Sequence, residues 1–140
     1  MSKKHSALLN EKIRVFKTLQ KRLVQFKRYC EAALGTYGQR GEFHPNLNVL
    51  PKEIDKATLQ HLTVLHEIEQ ENFIFLSERS RNILSDLQKS CSLMYSMELA
   101  IMENEGDINI MKFVPSAYSS AMKNIDECLL SLYEELEFPS

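Results

Sequence analysis

The sequence predicts an all-α protein, an antiparallel four-helix bundle with long helices. Three observations carry this reading. Apolar residues recur at helical spacing along most of the chain. No segment shows the sustained alternation, rich in Val, Ile or Thr, that a half-buried strand needs. Gly and Pro, only 4 of each in 140 residues, gather, Pro139 apart, in two regions that divide the periodic sequence. The alternative architecture is an extended helical hairpin completed by dimerisation. Residues 1–140 read as a single helical domain, long enough to bury roughly two thirds of its unfolded surface.

The first helix is expected over about residues 6–34. Leu9, Phe16, Leu19, Leu23, Phe26, Cys30 and Leu34 share one arc, with Lys3, Arg14, Lys17, Lys21 and Arg28 nearly opposite. Leu9, Phe16, Leu23 and Cys30 also recur every seven residues, the spacing of a bundle seam. Gly35 is placed to end this helix. Residues 35–50, with Gly35, Gly38, Gly41 and Pro45, then form a long loop.

Between Pro51 and Asn104 there is no internal Gly or Pro, so the stretch is either one helix or two. Two are favoured, over about 51–76 and 79–104, because the apolar phase slips across Ser77–Asn82, where Ser77 or Ser80 can cap a new helix. Leu62, Leu65, Phe73 and Leu76 form one face of the second helix, and Val64, Ile68 and Phe75 widen its arc. Leu84, Leu87, Cys91, Met94, Ile101 and Met102 stripe the third, with Glu98 falling inside the stripe. After a second break from Gly106, Pro115 opens the last helix, about 115–136, whose stripe includes Tyr118, Ile125, Cys128 and Leu132.

An apolar fraction of 44% and a charged fraction of 26% exclude a disordered or low-complexity chain. No apolar run approaches the roughly 18 residues of a membrane span, and the N-terminus lacks the apolar core of a secretory signal, so a cytoplasmic protein without membrane insertion is expected. Cys30, Cys91 and Cys128 are odd in number with no C-x-x-C spacing, which fits reduced thiols. The net charge of −2 conceals a split: residues 1–28 hold nine Lys or Arg against Glu11 alone, and Asp126, Glu127, Glu134, Glu135 and Glu137 close the chain with no base among them. That split reads either as internal pairing or as a basic face for an anionic partner.

No cofactor, metal or catalytic site is expected. Phosphate-loop, dinucleotide, zinc-protease and EF-hand patterns are absent. The Glu-x-x-His pairs of di-metal bundles are missing, and His61 and His66 stand about 140° apart on a helix. Ser120-Ala-Met-Lys123 matches S-x-x-K without the accompanying motifs of acylating serine enzymes. HEPN-type ribonucleases need an Arg, a polar residue and then a His. Arg81-Asn82 begins that pattern, but Asp86 stands in the His position, and Arg40 and His44 are too closely spaced. Without a placed imidazole this remains a remote alternative.

The expected function is therefore a non-enzymatic helical protein–protein interaction module, such as a small adaptor, chaperone-like or assembly subunit, binding a protein partner or itself. Tyr37, Arg40, Phe43 and His44 in the loop, with Val64, Ile68, Phe75 and Met97 on the second and third helices, are the expected contact residues. The alternative is a nucleic-acid-binding accessory factor using Arg14, Lys17, Lys21 and Arg28, which span about 21 Å of helix and lack interleaved aromatics.

Overall fold

A computed structural model describes residues 3–40, 57–104 and 113–137. It is an all-α helical bundle, with no strand among the described residues. The elements are α1 (Lys3–Arg40), α2 (Thr58–Glu71), a 3₁₀ turn (Phe73–Phe75), α3 (Glu78–Ser90), α4 (Ser92–Asn104) and α5 (Val114–Glu137). No helix among the described residues is long and apolar enough to cross a membrane.

α5 packs along α1 and along α3 and α4, while α2 lies between α1 and the α3–α4 rod. The order around the bundle is thus α1, α2, α3–α4, α5. Neighbours run antiparallel. Lys12 pairs with Glu135 at 3.9 Å and Lys27 with Asp126 at 2.9 Å, so α1 ascends as α5 descends. Arg79 reaches Glu134 at 3.2 Å, while Glu98, further along the rod, meets Tyr118. One apolar cluster fills the centre, drawing Leu19, Leu23 and Phe26 from α1, Leu65 from α2, Leu84 from α3, Met94 from α4 and Ile125 from α5. Burying each of these large side chains contributes about 1.5–3 kcal/mol.

Four boundaries or faces differ from expectation, each for a local reason. α1 does not stop at Gly35 but continues to Arg40, because glycine lowers helix propensity by only about 1 kcal/mol and no proline precedes Pro45. The expected loop at 35–50 is therefore helical through residue 40, and residues 41–56 lie outside the described ones. The second helix, expected over 51–76, is described from Thr58 and ends at Glu71, five residues early, where the 3₁₀ turn takes over. Ala57 is extended (φ −61°, ψ 161°), and its N–H donates to the Gln60 side chain at 2.9 Å, half of a capping box.

The junction expected at Ser77 is present: its side chain accepts from the Ser80 N–H at 3.1 Å and caps α3. The third leg, however, is two helices meeting at Cys91. Ser90 Oγ donates to the Leu87 carbonyl and Ser92 Oγ to that of Lys89, both at 2.8 Å, and these side-chain bonds compete for carbonyls at the end of α3. Finally, Leu9 is 42% exposed, so the seven-residue seam begins at Phe16, which is buried.

Candidate functional site

Two places concentrate unusual chemistry. The first lies inside the bundle. Glu98 of α4 is 2% exposed, and donors from the other three legs converge on it. Its Oε1 accepts from the Tyr29 hydroxyl (2.6 Å), the Tyr118 hydroxyl (2.6 Å) and the Thr58 hydroxyl (2.7 Å), while Oε2 accepts from the Thr58 backbone N–H (3.0 Å). Thr58 opens α2, so the carboxylate also takes up one of the free amides at a helix N-terminus. His61, one turn on, is buried and stacks on Phe26 with ring centres 5.1 Å apart. The hydroxyls of Tyr29 and Tyr118 are held far above the usual phenol range, first by burial and then by nearby negative charge; Glu98 adds to the shift in each.

This arrangement satisfies a buried acid with neutral donors. It presents no free acid–base pair, because every named hydroxyl is already donating to the carboxylate. Glu98 stood out in the sequence as an acid inside an apolar stripe. Of its partners only Tyr118 stood on an expected apolar stripe, since nothing local shows which hydroxyls a distant carboxylate will meet.

The second place is the α2–α3 junction, where Phe73-Ile74-Phe75 forms the 3₁₀ turn. Ile74 is 83% exposed and Phe73 49%, whereas Phe75 packs against the core and Leu76 is buried. The turn is tied at both ends. Asn72 donates through its side chain (2.9 Å) and its backbone N–H (3.1 Å) to the Ile68 carbonyl, and the Arg81 guanidinium donates to the Leu76 carbonyl at 2.8 Å. That same guanidinium stacks 4.2 Å from the Phe73 ring centre, a cation–π contact. Arg81, weighed as a ribonuclease arginine, thus holds a turn.

The expected contact residues are placed as follows. Ile68 and Met97 are buried in the core, and Val64 and Phe75 are half-buried against it. Their apolar area serves the chain's own packing, and the exposed apolar area of this region lies at Phe73 and Ile74 instead. Tyr37 and Arg40 fall within α1, but their side chains, like Phe43 and His44, lie outside the described residues. Arg14, Lys17, Lys21 and Arg28 are exposed along α1, and Arg14 pairs with Glu11 at 2.9 Å.

Among the described residues no group of three or more His, Cys, Asp or Glu is placed to hold a metal ion. All three cysteines are buried and free. Burial pushes the Cys91 thiol up to about 11 and Cys128 up to about 12, and drives Cys30 well above its ordinary value. Thiols so placed stay protonated and behave as small apolar side chains. A shallow groove between α3 and α5 is lined by mixed residues such as Asp86, Ser90 and Glu127, with no converging set. Comparison with protein-family models, curated proteins and solved structures gives no match.

Proposed function

We propose that this chain is a non-enzymatic protein–protein interaction module of the cytoplasm, an adaptor or assembly subunit that docks through the Phe73–Phe75 turn. The observation that carries the reading is Ile74, a large apolar side chain 83% exposed on a turn that hydrogen bonds and a stacked guanidinium hold in one shape. Exposed apolar groups on preorganised turns make effective anchors, because little conformational freedom is lost on binding. The cytoplasmic assignment rests on the three free, buried cysteines. Catalysis has less support, since the polar cluster around Glu98 is closed and internally satisfied.

The test is affinity purification from the native host, comparing the wild-type chain with Ile74→Asp and with the exposed-surface control Thr63→Asp. A partner retained by the control and lost with Ile74→Asp, at unchanged helicity and melting temperature, supports the reading. Identical partner sets for all three chains, or none for the wild type, count against it.

A further inference from the structure

Resting on the docking reading above, we infer that the segment received by the Phe73–Phe75 turn is a basic amphipathic peptide of a partner protein, which sets apolar side chains over Ile74 and Phe73 between flanking Lys or Arg residues. The apolar centre is Ile74, 83% exposed, with Phe73 at 49%. Its surroundings are acidic. α2 carries no Lys or Arg, and its three acids, Glu67, Glu69 and Glu71, all fall in its last five residues, directly before the turn. Glu78 follows the turn at the start of α3. Taking about 100° per residue, Glu67 and Glu71 lie within about 40° of each other on the side of α2 away from Leu65, and Ile74 comes three residues further on.

The fold gives the α2 acids no use. A helix C-terminus carries partial negative charge, so carboxylates in the last turn are misplaced for stability, and no base stands there to offset them. Glu67, Glu71 and Glu78 are exposed and Glu69 is nine-tenths buried, and none of the four makes an ion pair among the described residues. Only Glu78 has a structural reason, since the first turn of α3 favours an acid. The bases of the adjoining elements are already engaged. Arg79 pairs with Glu134, and Arg81 is half-buried on the Phe73 ring and the Leu76 carbonyl. On α1, Arg14 pairs with Glu11, Lys12 with Glu135, and Arg22 bonds Gln25, while Lys17 lines the groove toward α5 instead.

An exposed apolar tip beside unmatched carboxylates selects its partner by charge. A phosphate-bearing polymer or an anionic membrane is repelled. A purely apolar peptide covers Ile74 but leaves the carboxylates without partners next to it. A peptide with an apolar centre and basic flanks meets both, its apolar groups supplying adhesion and its charges supplying selection and a faster encounter. Arg81 does not oppose it, because its guanidinium is directed at the Phe73 ring and the Leu76 carbonyl.

A random peptide library displayed on phage and selected on the immobilised full chain tests this. Binders that are lost on Ile74→Asp should carry net positive charge around large apolar residues. Glu67→Lys combined with Glu71→Lys should weaken them at least about tenfold, whereas the same change at Glu127, an exposed acid of the α3–α5 groove, should leave them unchanged. The double variant should melt no lower than the wild type, since bases suit the end of α2, so its loss of binding is not a loss of fold. Ile74-dependent binders of neutral or acidic sequence, or full binding by the double variant, overturn the inference and leave the docking turn standing. Binders indifferent to Ile74→Asp, or none at all, remove the docking reading and the inference with it. Self-association of the wild type that Ile74→Asp abolishes, seen by light scattering as a mass above 16.2 kDa, assigns the turn to a second copy and overturns the basic peptide.

Discussion

At the scale of single residues, two buried carboxylates make opposite predictions. Glu98 is fully bonded, so Glu98→Ala would strand three hydroxyls and one amide in a closed core, costing more than about 3 kcal/mol. Glu98→Gln keeps an acceptor for the hydroxyls but turns a donor toward the Thr58 N–H or loses its bond, and should cost about 1–2 kcal/mol. Urea unfolding of both variants checks the ranking. Glu135 is equally buried, yet its Oε2 has no hydrogen-bond partner among the described residues and Lys12 stands 3.9 Å from the other oxygen. A buried acid with one long ion pair and one unsatisfied oxygen is a liability, so Glu135→Leu should be neutral or stabilise by up to about 2 kcal/mol in the same assay. The thiols add a pH dependence. Cys91 and Cys128 have raised folded-state values, about 11 and about 12 against 9.0, so the folded chain holds these protons more tightly than the unfolded one. Their contribution is complete below pH 9 and is lost as pH rises toward 11–12. Stability should fall between pH 9 and 10.5, and Cys128→Ala should fall less steeply over that range.

At the scale of elements, the N-terminal cap of α3 is where local sequence and structure agree most closely. Ser77 was legible as a cap because a serine preceding a new apolar phase has one obvious use, and Ser77→Ala should remove about 1 kcal/mol of stability, measured by thermal unfolding. Arg81→Ala should leave α3 intact but release the turn, seen as faster hydrogen exchange at the amides of Phe75 and Leu76. The stripes of α1, α3 and α5 were equally legible, since Leu19, Leu23, Phe26, Leu84, Ile125 and Leu132 are buried as their spacing requires. What was not legible were features decided by competition. Gly35 had the composition of a helix end, yet the helix persists; Cys91 had the composition of a helix interior, yet its flanking serines capture carbonyls. The exposed turn was missed for a related reason. Phe73 and Phe75 fit a helical apolar arc, and only the tight turn separates an exposed Ile74 from a buried Leu76.

At the scale of the whole molecule, the charge split is partly internal. Lys12, Lys27 and Arg79 each reach an acid of α5, which fastens the last helix to both neighbours. The Lys27 ammonium is held above its ordinary value chiefly by its bond to Asp126, against an opposing effect of desolvation. The Lys27–Asp126 and Arg79–Glu134 pairs sit near the surface and are individually weak, so raising salt from about 0.1 M to about 1 M should lower the melting temperature by only a few degrees.

The sharing of one acid among all four legs has a further consequence. If any leg peels away, the others are left with unmatched hydroxyls or a bare carboxylate in an oily interior, so partial opening at that end is penalised from every direction. The amides around Tyr29, His61, Glu98 and Tyr118 should exchange with solvent only when the entire chain unravels, all at one common rate. The opposite end, where Glu135 lacks its second bond, should breathe first.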